Sequence, residues 1–239
     1  MDNQTTDVEW LSSASIDPAV FELRPDYRAL LLLADNLKPG ESNDVSEQLL
    51  TAAEQKIRRQ VVGLPVEELP QVAAWREAYR AFGAKPQRTR PSMEALVRRI
   101  DAGLPRIDRI TDTYNAISVA HLLPLGGEDA DKYVGPAQLV RATGTESFET
   151  TASGDSMTEH PEQGEVVWKD DAGVTCRRWN WRQSLRTRID GETTRALFIL
   201  DGLLEVSSEA DLTTAGEELQ DALAAFSPDA RFTSRLLVP

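Results

Sequence analysis

The chain has 239 residues, with 39 Asp and Glu against 26 Lys and Arg and a formal net charge of −13. At 41 % apolar and 27 % charged residues it can build a real core, which excludes disordered, collagen-like and membrane-spanning classes. The acidic balance disfavours nonspecific binding to nucleic acid or anionic lipid, and one cysteine with two histidines excludes an internal disulfide and a typical zinc site.

The start, Met1 to Asp7, is acidic and polar, without the basic and apolar segments of a signal peptide. A reducing, cytoplasmic setting with no cofactor or metal is the expectation. Val20 to Leu37 holds apolar runs broken at Arg24 to Tyr27 and predicts two strands or a bent one, with Ala29 to Ala34 as the buried part. Val45, Leu49, Ala53, Ile57 and Val61 recur every four residues and predict a helix over 42–61, stopped by Gly63 and Pro65. A second helix is predicted over 71–82, through Val72, Trp75, Tyr79 and Phe82. A third starts with Ser92 as N-cap and ends at Gly103, and a fourth spans 108–120. After Pro124 the pattern changes to strands, predicted at 138–142, 165–169, 173–178 and 196–206, with turns or a mobile loop over 143–164. A helix over 210–226 and a strand over 232–238 close the chain. The fold class read from this order is α+β: a mixed sheet flanked by helices in a single domain, residues 1–89 forming an elaboration packed on a 90–239 core.

The net charge hides local contrasts. Arg76 to Arg109 carries nine basic and four acidic residues, Glu128 to Asp171 three and eleven, and Arg177 to Arg188 five arginines and no acid. Arginine clusters with interleaved aromatics suit phosphates and stacked bases, whereas the plainer alternative is a set of solvated faces paired with the acidic segment. The densest stretch is Cys176-Arg177-Arg178-Trp179-Asn180-Trp181-Arg182-Gln183. Read as one strand, it puts Arg177, Trp179 and Trp181 on one face and Arg178, Asn180 and Arg182 on the other. The competing reading is a Trp-filled core strand whose arginines pair with Asp170, Asp171 or Glu165.

No Walker loop, dinucleotide glycine motif, nucleophile elbow or zinc helix is present. His121 is either a general base or a satisfied histidine at a helix end, His160 lies in the polar loop, and Cys176 reads as an inert buried thiol.

Arg90 to Arg99, followed by Gly103, Arg106-Ile107, Asp112 and Asn115, resembles the opening of the tRNA-editing B3/B4 domain of the phenylalanyl-tRNA synthetase β subunit. Pro124 to Lys132 lies over that family's Pro-Leu-His-Ala-Phe-Asp stretch. Leu139-Val140-Arg141-Ala142 with Glu146 matches its Val-Arg-x-Ala strand, and Thr193-Thr194 its terminal Thr-Thr strand. The likeness runs from Arg90 to Glu205. It implies an editing-domain fold that hydrolyses the ester of mischarged aminoacyl-tRNA, here as a freestanding relative acting in trans. Three departures stand out. Gly126 occupies the position of the family's editing-site histidine, Tyr114-Asn115 replaces Thr-Asn, and the Arg/Trp segment replaces a glycine-rich strand.

On that resemblance the expected catalytic residues are Asn115 and Asn180, which position ester or water, with His121 assisting. Tyr114, Gly126, Arg177, Arg178, Trp179, Trp181 and Gln183 are the expected substrate-binding set. The partner is the aminoacylated 3′ end of a tRNA, whose acceptor stem meets the helices of the first basic segment. The alternative is a noncatalytic module that binds tRNA or an amino acid. A third reading, an RNA-independent hydrolase or scaffold, fits the bulk charge.

Overall fold

The computed structural model describes residues 3–152 and 154–239. In chain order the elements are α1 (Asn3–Ser13), β1 (Ser15–Ile16), α2 (Pro18–Leu23), β2 (Tyr27–Asp35), α3 (Asp44–Gln60), α4 (Pro70–Ala81), α5 (Ser92–Val97) and α6 (Arg109–His121). There follow β3 (Leu125–Asp129), β4 (Gln138–Arg141), β5 (Phe148–Ala152), β6 (Asp155–Glu159), β7 (Val166–Lys169), β8 (Val174–Arg177), β9 (Arg182–Gln183), β10 (Ala196–Leu203), α7 (Glu209–Ala224) and β11 (Arg231–Leu237).

The fold is α+β, with two main sheets. One has four antiparallel strands in the order β11-β2-β10-β3; the other has five in the order β1-β4-β7-β8-β9, mixed because β1 runs parallel to β4. Strand β2 is apolar almost throughout because both faces of its sheet are covered. Leu30 and Leu32 pack with Phe198 and Leu200 under Leu212, Leu219 and Leu223 of α7. Leu31, Leu33, Leu197 and Ile199 face the other way, into a core shared with Trp168, Cys176 and Trp179 of the second sheet.

Several sequence expectations are corrected. Residues 18–23 are helix, not strand: Asp17 accepts from the Ala19 amide at 2.8 Å and Pro18 sits at the first helical position, a local start signal that outweighs the apolar run. The buried face of α3 is Ser46, Leu50, Ala53, Glu54 and Ile57, since a strict four-residue spacing drifts across a helix of about 3.6 residues per turn. Ser92 is the first residue of α5 and not its cap; Pro91 holds the cap position, and the helix stops at Val97 rather than at Gly103. The predicted loop over 143–164 contains the hairpin β5–β6, whose Thr and Glu residues show little apolar alternation. Strand β3 was not expected at all, because Gly126-Gly127 reads as a breaker; its pairing with β10 holds it in place.

The largest departure is in the Arg/Trp segment, which is not one strand. Strand β8 ends at Arg177, and Arg178 and Trp179 both take left-handed backbone angles, with φ of 48° and 67°. The chain then turns back as β9. Consecutive left-handed non-glycine residues are costly and persist only where the surroundings hold them. Here the Trp179 amide donates to the Val166 carbonyl at 2.7 Å and the Trp181 amide to the Arg177 carbonyl at 3.0 Å.

Candidate functional site

A cavity of about 270 Å³ lies where the two sheets face each other. Alternation along the strands decides which residues reach it. Gly126 and Glu128 of β3 share a face with Ile199 and Asp201 of β10, Gly126 pairing directly with Ile199. From the other sheet come Trp168, Cys176 and Gln183, cross-strand neighbours on β7, β8 and β9. Ser92, Ala95, Leu96 and Arg99 follow the i, i+3, i+4, i+7 spacing of one helical face and form part of the mouth with Trp181 and Arg182. Tyr114 and Asn115 arrive from α6, which packs on β3.

The 178–181 turn aims its residues by reversing the chain. Trp179 is fully buried, edge-on to Tyr27 with ring centroids 4.9 Å apart and to Trp75 at 5.4 Å. Trp181 stays partly exposed, with the Arg178 and Arg182 guanidinium groups 4.6 and 4.8 Å from its ring centroid. Asn180 is committed to the wall: its Oδ1 accepts from the Tyr79 hydroxyl at 2.9 Å and its Nδ2 donates to Asp201 Oδ2 at 3.0 Å. Asp201 Oδ1 accepts from the Tyr27 hydroxyl at 2.5 Å.

Two buried carboxylates thus face the cavity. Burial pushes Asp201 up to about 7 against the lowering effect of its Tyr27 and Asn180 hydrogen bonds. Burial likewise pushes Glu128 up to about 7, against the nearby Tyr133, Thr175 and Thr187 hydroxyls and the Arg186 charge. Four lining residues also carry buried polar atoms without a hydrogen-bond partner among the described residues: Ser92 Oγ, Trp168 Nε1, Trp179 Nε1 and Arg182 Nε. Buried donors without acceptors are rare; these four atoms expose almost no surface, and the Trp179 indole lies against the Tyr27 hydroxyl.

Of the residues expected from sequence, Tyr114, Asn115, Gly126, Trp179, Asn180, Trp181 and Gln183 line this cavity. Three do not. His121 ends α6 away from it, with Nε2 2.7 Å from Glu218 Oε2 on α7. Arg177 is 6 % exposed, and its guanidinium is held by Glu165 at 2.9 and 2.8 Å and by Glu159 at 2.7 Å. Arg178 is 3.5 Å from Glu165 and faces a second, polar cleft. Arg177, Arg178, Arg182 and Arg186 therefore pair with the acidic segment, as the plainer reading of that charge has it. Gly126 leaves no empty space, because a Cβ there stands 2.9 Å from Gln183 Nε2, which donates to the Gly127 carbonyl at 2.7 Å. Cys176 is buried, and burial pushes its thiol well above the usual range, which disfavours the thiolate.

Sequence reasoning missed Glu128, Asp201 and Trp168. A signal existed for Asp201: an acid ending the run Leu197-Phe198-Ile199-Leu200 is a charge inside a buried strand.

Beyond the mouth the surface is basic. An adjoining cleft lined by Arg88, Arg90, Arg98 and Arg99 shares Ala95, Arg99 and Trp181 with the cavity. Arg98 pairs with Glu67 and Glu94, and Arg90 stands 3.7 Å from Glu94; among the described residues no carboxylate pairs with Arg88 or Arg99. The two basic segments of the sequence thus meet at Trp181. Among the described residues no helix is long and apolar enough to cross a membrane, and no cluster of three or more His, Cys, Asp or Glu could hold a metal ion.

Residues 74–214, more than half of the chain, match the family model described as the B3/4 domain. No curated protein matches the chain. Among solved structures, an N-terminal fragment of the phenylalanyl-tRNA synthetase β subunit from Pyrococcus horikoshii is similar at 15 % identity and a TM-score of 0.48. The likeness covers 92 % of this chain and 50 % of that fragment, so the chain spans about half the length of that relative.

Proposed function

The chain belongs to the B3/4 domain family, and from that premise we propose that it hydrolyses the ester of mischarged aminoacyl-tRNA in trans, in the cytoplasm. The observation that carries this reading is the polarity of the site: an aromatic-walled cavity opens at Ala95, Arg99 and Trp181 into an arginine-lined cleft. The aminoacyl group enters the cavity, the terminal adenine meets Trp181, and the backbone phosphates lie along the cleft.

Hydrolysis needs a positioned water and donors for the developing oxyanion. Trp168 Nε1, on the cavity wall and without a hydrogen-bond partner among the described residues, is the donor assigned to the carbonyl oxygen. Asn115, 8 % exposed on the cavity wall, positions the water. The water oxygen adds to the carbonyl carbon, the ester C–O bond breaks, and the neighbouring ribose hydroxyl relays the water's proton to the departing ribose oxygen. One observation favours the noncatalytic alternative: Gly126 and the Gln183 amide place no titratable group at that point of the wall.

A panel of aminoacyl-tRNAs separates the two. For at least one member, the protein is expected to accelerate deacylation by at least about 100-fold over buffer, the scale of one positioned catalytic interaction. Asn115→Ala is expected to remove most of that acceleration while leaving tRNA binding in place. No acceleration for any member, with salt-sensitive binding retained, makes the protein a tRNA-binding module; no binding either rejects the tRNA partner.

A further inference from the structure

The basic surface at the cavity mouth does not end at the cleft of Arg90, Arg98 and Arg99. Arg88, which lines that cleft, also lines a second one of about 210 Å³, together with Lys85, Thr89, Glu162, Glu165 and Arg178. The cations of this second cleft come from two segments that the fold ties together. Lys85 and Arg88 lie on a turn after α4, closed by the Arg88 and Thr89 amides, which donate to the Lys85 carbonyl at 2.8 and 3.0 Å. The stretch that carries the turn is fixed to the 178–181 reversal at both ends. The Phe82 ring lies 6.3 Å from that of Trp179, and the Ser92 amide donates to the Asn180 carbonyl at 3.1 Å. Arg178, at the left-handed start of the reversal, lines this cleft, whereas Arg177 before it does not.

The charges here are unequally committed. Glu165, 3 % exposed, accepts from the Arg177 guanidinium at 2.9 and 2.8 Å and from the Arg178 amide at 3.2 Å. The Arg178 guanidinium stands 3.5 Å from it, beyond a charge-assisted hydrogen bond. Among the described residues the side chains of Lys85, Arg88 and Arg178 donate no hydrogen bond, and no carboxylate stands within 4.0 Å of Lys85 or Arg88. Glu162, which is exposed, is the acid of this lining that no cation pairs with among the described residues. Three cations with free donors against one free carboxylate make the cleft electropositive in a chain of net charge −13.

These cations are spread along two joined hollows rather than gathered round one point. Arg90 and Arg99 lie to one side of Arg88, and Lys85 and Arg178 to the other. Such a row suits a charge repeated along a strand, as in a phosphodiester backbone. We propose that the cleft of Lys85, Arg88 and Arg178 is a second phosphate site. It holds the phosphodiester on the 5′ side of the one lodged in the Arg99 cleft, with Arg88 shared between the two. This rests on the reading that an RNA end enters at Trp181, and it extends the contact along the strand.

The test is the binding of a labelled single-stranded RNA ending in CCA-3′, without an aminoacyl group, measured by fluorescence anisotropy over a range of salt. Lys85→Ala, Arg88→Ala and Arg178→Ala are each expected to weaken binding about threefold to tenfold and to flatten the plot of log affinity against log salt by about 0.7, the increment for one phosphate of a single strand. Glu162→Gln is expected to tighten binding, and Lys56→Ala, on α3 and in neither cleft, to change nothing. Should Arg178→Ala fail to fold, the variants of exposed Lys85 and Arg88 decide. Lys85→Ala and Arg178→Ala behaving like Lys56→Ala, while Arg99→Ala still weakens binding, would end the strand at the Arg99 cleft and overturn the second site with the RNA partner intact. Displacement of the RNA by inorganic phosphate at constant ionic strength would make the cleft a free-anion site and also overturn it. No binding of the RNA rejects the partner and the site together. Binding that depends on Lys85 and Arg178, with no deacylation of any aminoacyl-tRNA, rejects hydrolysis and leaves this inference standing.

Discussion

Asp201→Asn is expected to raise the thermal midpoint at pH 8 and to leave it almost unchanged near pH 4. Asp201 titrates near 7 in the folded chain, against an ordinary value of 3.8. Between those values the native state holds a proton that the unfolded state has released, so stability falls as pH rises through the interval and the loss is complete above about 7. A difference of about 3 units at about 1.4 kcal/mol each places the penalty at up to about 4 kcal/mol. Asparagine carries no charge to desolvate and keeps both contacts: its carbonyl accepts from Asn180 Nδ2 and its amide donates to the Tyr27 hydroxyl oxygen. For a chain of this length the gain corresponds to about 10 °C at pH 8. Calorimetric melts at the two pH values check it, and equal shifts at both would show that Asp201 is not held protonated by burial.

The second large effect belongs to Trp179. Trp179→Ala is expected to cost about 3–5 kcal/mol in urea unfolding, the range for truncating a buried aromatic, because the cavity it leaves cannot close. The ring packs against Tyr27 of β2 and against Trp75 and Phe82 on and just after α4, three aromatics from two segments of the chain. Trp181→Ala, two residues away, is expected to cost under about 1 kcal/mol, since that ring is partly exposed and its guanidinium neighbours keep carboxylate partners at Glu159 and Glu165. Similar costs for the two tryptophans would contradict the turn that separates them.

That turn also marks where the sequence ceases to be legible. Elements with a strong apolar signal were readable: α4 and α7 form where the apolar spacing puts one face against a neighbour, and α6 and β10, buried almost throughout, form where the apolar residues run densest. The segment from Cys176 to Gln183 was readable in composition and not in geometry. Nothing local in Arg178-Trp179 announces left-handed backbone, which is imposed by the pocket around the Trp179 ring and by its hydrogen bond to Val166. A strand reading placed Trp179 with Trp181, whereas the fold sends one inward and leaves the other at the mouth. Glu128 was hidden for a related reason. It sits in an acidic stretch that reads as surface, and only the pairing of β3 with β10 turns it inward. His121 and Arg177 drew attention through residue type alone, and Glu218, Glu159 and Glu165 account for them.

The net charge of −13 is compatible with an RNA end as partner because the exceptions to it are local. Arg88, Arg90, Arg98 and Arg99 line one cleft next to the cavity mouth, while most of the second basic segment is spent on Glu159, Glu165 and Asp170.

The most direct test of the account is a crystal structure of the protein with a nonhydrolysable 3′-aminoacylamino-3′-deoxyadenosine. The aminoacyl group is expected between the two sheets, with its carbonyl oxygen within hydrogen-bond distance of Trp168 Nε1 and the adenine at Trp181. An analogue bound at the Arg178 cleft or elsewhere on the surface, with the space between Gly126 and Trp179 left to water, would contradict it.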